Sequence, residues 1–217
     1  MILPGAIFRL SQSKANAVFL TFDDGPHPDT TPKVAEILAK YDCHATFFVV
    51  GERLERYPAL GKMLADAGHT VGNHSFTHKK TCFLSLSNFL RDVQTTQHLI
   101  ETSIGKPCHY FRPPHGRILP GRIKRLNELR LKVVLWDVFV PDYQPDFTAA
   151  QIIRRVLRHT RAGSIILLHD TSSNAWETVQ ALPTILQSLR DRGFQLCALP
   201  GIDEMSCRRS SSGVEGD

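Results

Sequence analysis

The sequence predicts an α/β fold, a parallel sheet closed into a single barrel, and three observations carry that prediction. Apolar strand-like runs alternate with helix-like stretches from residue 17 to 199, the pattern of strands joined by helical crossovers. About seven such units follow one another through short connections, with no internal boundary. Polar residues stand at the C-terminal ends of several strands, the ends that a parallel barrel gathers on one face. An open doubly wound sheet gathers ligands at the same ends. The barrel is preferred because no Gly-rich nucleotide turn follows the first strand.

Ala17 to Phe22 reads as a buried strand, and Thr31-Pro32 opens a helix to Lys40, proline being suited to a first turn. His44 to Val50 is the second strand, and Pro58 to Ala67 a helix closed by Gly68. His69 to Gly72 is a short strand, and Leu86 to Thr102 a helix capped by Ser85 or Ser87. His109 to Arg112 is strand, Pro120 to Leu129 helix, and Lys132 to Val138 strand. Thr148 to His159 is helix and Gly163 to Leu168 the most apolar strand. Trp176 to Arg192 is a helix ended by Gly193, and Phe194 to Ala198 is the seventh strand. Residues 17–200 therefore read as one catalytic domain after a lead-in of residues 1–16. The Ser/Gly-containing tail, 201–217, is expected to be disordered.

Composition narrows the function. The chain has 217 residues, 42% hydrophobic and 22% charged, enough for one sizeable core. The 26 basic and 21 acidic residues give +5, a weak bias toward anionic surroundings. No Lys/Arg stripe is interleaved with aromatics, so nucleic-acid binding is not expected. Five cysteines, an odd number without a C-x-x-C pair, argue against a disulfide framework or a cysteine zinc site. No apolar run reaches the ~20 residues of a membrane span. No secretory leader is visible, so the sequence as written is expected in the cytosol, or in the envelope or medium if a leader precedes it. A monomer is expected.

Four separated segments supply the chemistry. Asp23 and Asp24 leave the first strand side by side, and neighbouring residues there point to opposite sides. One carboxylate can bind a metal while the other accepts a proton; the competing reading is an Asx-turn through Gly25-Pro26. His74 and His78, four residues apart, share one face of a helical turn, a spacing suited to two nitrogen ligands on one ion. Two histidines and a carboxylate leave open positions for water and substrate, and suit zinc or another borderline divalent metal. Arg112 ends a strand before Pro113-Pro114, where its fork can hold a carboxylate ionised. His169 ends the most apolar strand, either satisfied by hydrogen bonds or titrating as an acid–base group.

These residues resemble the polysaccharide deacetylases, the carbohydrate esterase group with a NodB-type homology domain. Five blocks occur in family order, Thr21–Pro26, His74–His78, Arg112–Gly116, Trp136–Tyr143 and Leu167–Asp170, and the likeness runs from about residue 16 to 200. The resemblance implies a distorted (β/α)7, TIM-like barrel. It implies that Asp24, His74 and His78 hold one divalent metal ion, taken as zinc, with cobalt, nickel or manganese as alternatives. It makes Asp23 the general base, His169 the general acid and Arg112 the residue that orients Asp23. Leu167 would line the acetyl pocket, Trp136 the substrate groove, and the backbone N–H of His115 would face the oxyanion. The fourth block departs from the family: Phe139 stands where an aspartate is common, and Asp142-Tyr143 replaces an Asp-Trp pair. Asp142 is the better candidate to support His169, and Tyr143 implies a changed groove wall.

The expected function is therefore metal-dependent hydrolysis of N-acetyl or O-acetyl groups on an oligo- or polysaccharide such as chitooligosaccharide or peptidoglycan. A catalytically silent carbohydrate-binding protein on the same scaffold is the alternative, motivated by the altered fourth block. A phosphoesterase ranks below both, since two metals are usual there.

Overall fold

The computed structural model describes residues 3–10 and 16–201. Its elements are β1 (Ala6–Ile7), β2 (Ala17–Asp23), α1 (Thr31–Lys40), β3 (Thr46–Val49), α2 (Gly51–Arg56), α3 (Pro58–Asp66) and β4 (Thr70–Asn73). There follow α4 (Leu86–Ile104), β5 (Tyr110–Phe111), α5 (Pro120–Glu128), β6 (Lys132–Val134), β7 (Val138–Phe139), α6 (Ala149–His159), β8 (Ile165–His169), α7 (Ala175–Asp191) and β9 (Gln195–Cys197). All named strand pairs are parallel, in the order β1-β6-β5-β4-β3-β2-β8-β7, with β9 on β2. The sheet curls into the distorted (β/α)7 barrel that the sequence predicts. The tail expected to be disordered is 201–217, and all of it beyond Gly201 lies outside the described residues.

Period-two alternation explains what each strand sends inward. Along β2, Val18, Leu20 and Phe22 join the large core beneath the helices, while Ala17 and Phe19 join a small core inside the barrel. Thr21 and Asp23 continue the inward series. On β8, Ile166 and Leu168 face the helices and Ile165 faces inward, so Leu167 and His169 are inward too. On β5, Phe111 belongs to the outer core and Tyr110 to the inner one, which turns Arg112 into the barrel. Polar residues thus cap an apolar plug of Phe19, Phe48, Tyr110, Val134 and Ile165.

The helices begin where capping chemistry allows. Ser85 Oγ accepts the Asn88 N–H at 3.2 Å and opens α4, while Thr148 and Gln151 form a reciprocal capping box at α6. Gly105 ends α4 with φ 72, a left-handed value that glycine adopts without strain.

Three features differ from expectation. The predicted strand 132–138 is broken: β6 pairs with β5 and β1, β7 pairs with β8, and residues 135–137 cross the seam between them. Asp137 fastens that crossing, accepting from Ser164 Oγ at 2.9 Å and from the Ile165 N–H at 2.8 Å. The lead-in contributes β1, which lies on β6 and continues to an antiparallel bridge between Arg9 and Ser164. Helix α2 is an added turn, its N-terminal N–H groups taken by carbonyls of the segment after β4.

Candidate active site

The cap of the barrel is built around Arg112. Its side chain is fully buried and uses every face of the guanidinium. Nη1 donates to Asp23 Oδ1 and Thr21 Oγ1, each at 2.7 Å, Nη2 to the Leu135 carbonyl at 3.1 Å, and Nε to the Val134 carbonyl at 3.3 Å. The plane lies 4.1 Å from the Phe48 ring centroid, a cation–π contact. A buried ion pair, with three further guanidinium N–H groups placed on Thr21 and two carbonyls, holds Asp23 in one orientation.

Next to it, three side chains converge. Asp24 has φ 73, a left-handed conformation open to aspartate. His74 Nε2 lies 3.3 Å and His78 Nε2 3.0 Å from Asp24 Oδ1. His74 Nδ1 sits 2.8 Å from the Arg112 carbonyl; a carbonyl only accepts, so Nδ1 carries a proton, and in the neutral imidazole the lone pair is on Nε2. Asp24 Oδ1 is buried and has no hydrogen-bond partner. An orphaned carboxylate oxygen facing two imidazole nitrogens is a donor set that fits a divalent cation, and their ligand atoms all lie within 4.8 Å of one another. The field agrees: burial would raise the Asp24 carboxyl, but His74 and His78 outweigh it and hold it well below the carboxylate range. His74 is shifted oppositely, burial being overcome by Asp23 and Asp24.

Across the cavity, β2 and β8 place Asp23 and His169 in direct register. His169 Nδ1 lies 2.6 Å from Asp142 Oδ1, and its backbone N–H donates to Asp142 Oδ2 at 2.8 Å. Thr178 Oγ1 donates to the same Oδ2 at 2.8 Å. Asn174 Nδ2 ties down the Asp142 and Phe147 carbonyls at 3.0 and 2.8 Å. Burial lowers the His169 pKa, but the Asp142 carboxylate outweighs it and raises it to about 9. Tyr143 meets the His169 ring edge-on, with centroids 5.3 Å apart.

A cavity of about 560 Å³ joins these groups, lined by Asp23, Asp24, His74, His78, His115, Trp136, Phe139, Tyr143, Leu167 and His169. Nine of these ten are residues that the sequence analysis selected; Arg112 and Asp142 stand directly behind. Phe139 is the added wall, stacked on Trp136 at 6.1 Å. His115 is exposed, has φ 57, and packs its ring 4.9 Å from that of His78.

One expectation is corrected. His74 and His78 do not share a helical turn: the segment is a loop with left-handed φ at Ser75 (66) and His78 (53). The imidazoles meet because the chain folds back, not because of a 3.6-residue period. Asp92, Asn174 and Thr178, which hold the loops, were not selected from sequence. Each is an ordinary helix or loop position with no local motif.

A polysaccharide deacetylase model matches residues 11–134, more than half of the chain. The chain belongs to the polysaccharide deacetylase family. This makes it a hydrolase of the deacetylase type, as the five blocks suggested. The peptidoglycan-N-acetylglucosamine deacetylase of Bacillus cereus is 32% identical over 193 residues, 88% of this chain and 70% of that protein. The chitooligosaccharide deacetylase of Azorhizobium caulinodans is 32% identical over 212 residues, 92% of this chain and all of that protein. Among solved structures, the Bc1960 peptidoglycan N-acetylglucosamine deacetylase superposes with TM-score 0.86 at 31% identity, covering 90% of this chain and 91% of that one. A second, BA3943 from Bacillus anthracis, described as a pseudoenzyme, superposes with TM-score 0.83 at 29% identity, covering 91% of this chain and 68% of that one. Family members therefore include both a catalyst and a protein named as lacking catalysis. No described helix is long and apolar enough to cross a membrane.

Proposed function

We propose that this deacetylase removes the N-acetyl group of an amino sugar within an oligo- or polysaccharide, using one divalent metal, zinc, held by Asp24, His74 and His78. The observation that carries the reading is the orphaned Asp24 oxygen facing two imidazole nitrogens, in a cavity also lined by Asp23 and His169. Held by Asp24, His74 and His78, the cation would polarise the acetyl carbonyl and acidify the attacking water. Asp23 keeps Oδ1 on Arg112 and takes the water's proton on Oδ2. The N–H of His115 faces the oxyanion, where a preorganised donor is worth most. His169 keeps Nδ1 on Asp142 and delivers the proton of Nε2 to the departing nitrogen as the C–N bond breaks. Acetate and a free amine result. A raised His169 pKa suits that role, because the imidazolium is the populated form at neutral pH. Leu167 and Trp136 offer apolar contact to the acetyl methyl, and Tyr143 with Phe139 offers faces to a sugar ring.

The silent-binding alternative rests on the altered fourth block, Phe139 and Tyr143. The Asp142 carboxylate beside His169 Nδ1 supports the catalytic reading despite Phe139. Acetate release from chitooligosaccharides, N-acetylated peptidoglycan fragments and acetylated xylan, with and without chelator, tests the reading. Metal-dependent release from an N-acetylated glycan is expected. Sugar binding with no acetate from any substrate would favour the alternative.

A further inference from the structure

The loop that carries His78 is held open by contacts from outside itself. The carbonyls of Ser75 and Phe76 accept the first two N–H groups of α2, from Gly51 at 2.9 Å and Glu52 at 3.1 Å. A Cβ on Gly51 would lie 2.4 Å from the Phe76 ring, so the loop packs directly on that helix start. The loop's own N–H groups turn the other way, to α4. Asp92 Oδ2 accepts the Phe76 N–H at 3.0 Å, and Oδ1 accepts the Thr77 N–H at 3.2 Å and the Thr77 hydroxyl at 2.9 Å. The first histidine of the pair has a separate anchor, its Nδ1 on the Arg112 carbonyl. The second is placed through the backbone: its N–H donates to Ser75 Oγ at 3.1 Å, with left-handed φ at both residues. A chain in that conformation is strained and persists only when its surroundings over-determine it.

We infer that Asp92 is a positioning residue for the metal site: its three hydrogen bonds fix the Phe76–Thr77 turn and thereby present the His78 imidazole to Asp24. The inference rests on the metal reading above and deepens it, extending the site to a carboxylate on α4 that touches no ligand side chain. Outer partners of this kind typically change metal affinity by about 10–100-fold when removed. Asp92→Ala removes all three acceptors. Asp92→Asn keeps the Oδ1 pair and presents an NH₂ to the Phe76 N–H. Thr77→Val removes only the hydroxyl bond, and Thr77→Ser restores it.

The test is zinc affinity, measured on each full-length variant by competition with a fluorescent chelator, alongside a folded-state check by circular dichroism. Zinc Kd is expected to weaken about 10–100-fold in Asp92→Ala, less in Asp92→Asn, a few-fold in Thr77→Val, and not in Thr77→Ser. Folded Asp92 variants that bind zinc within twofold of the wild type overturn the inference. If Asp92→Ala does not fold, the Asp92→Asn and Thr77 variants decide by the same criterion. A wild type that retains no divalent metal overturns the metal reading and this inference with it. A wild type that binds zinc beside unaltered variants overturns the inference alone.

Discussion

Replacing Asp142 by asparagine should move the alkaline limit of activity downward. The residue is fully buried and lies 2.6 Å from His169 Nδ1. Asparagine keeps an oxygen able to accept that proton but removes the negative charge, which outweighs burial and lifts the imidazole to about 9. Without it, burial is opposed less, and the pKa returns toward or below the ordinary value of about 6.5. An acid works only while protonated, so rate falls as pH rises through its pKa. At pH 8 a pKa near 9 leaves about 90% of the imidazole charged, against about 3% for one near 6.5. The variant should therefore lose about 30-fold at pH 8 and less than twofold at pH 6, provided proton delivery limits the rate. The assay is kcat/KM for acetate release between pH 5 and 10, on variants checked for folding and metal content. An alkaline limb that stays in place in Asp142→Asn would refute the pairing as the source of the shift. The same linkage sets stability: the charged histidine favours the folded state fully below about 6.5, and the contribution fades as pH rises through about 9.

Other perturbations test the rest of the cap. Arg112→Met leaves the buried Asp23 carboxylate without its counter-charge, and should cost about 3–5 kcal/mol in urea unfolding; an unchanged midpoint contradicts the assigned ion pair. Asp170 is fully buried, takes a hydrogen bond from Thr31 Oγ1, and has its carboxyl raised by burial to about 7. Its charge therefore opposes folding increasingly from about pH 4 to pH 7, so Asp170→Asn should gain stability relative to the wild type across that range; thermal melts at pH 5 and pH 8 decide. His169→Ala should cost roughly 10²–10⁴-fold in turnover with zinc affinity unchanged, and undiminished acetate release would remove it as the acid.

Much of the site was legible because its residues end apolar strand-like runs, whose C-terminal ends a parallel barrel gathers on one face. Asp23 and His169 stood out as polar residues ending apolar strand-like runs and as members of the family blocks; that both point inward follows from the assignment of Val18, Leu20 and Phe22, and of Ile166 and Leu168, to the helix side in the fold. Asp142 was the better of the available carboxylates, and it is the one that meets His169. The seam was not legible: residues 132–138 are uniformly strand-like, and the break depends on pairing with β1 and β8, far away in sequence. The spacing of His74 and His78 suggested a helical turn, whereas the loop's conformation is set by α2 and Asp92. No local pattern encodes those partners. Phe139 was visible as a departure, but its stacking on Trp136 and its place in the cavity wall needed the fold.

The most direct test of metal-dependent deacetylation at this site is paired metal analysis and acetate release on one chelator-stripped preparation. One zinc per chain should restore activity on an N-acetylated chitooligosaccharide, and His74→Ala and Asp24→Asn should neither retain the metal nor recover the rate. Full acetate release from stripped protein, or from either variant, would contradict the account.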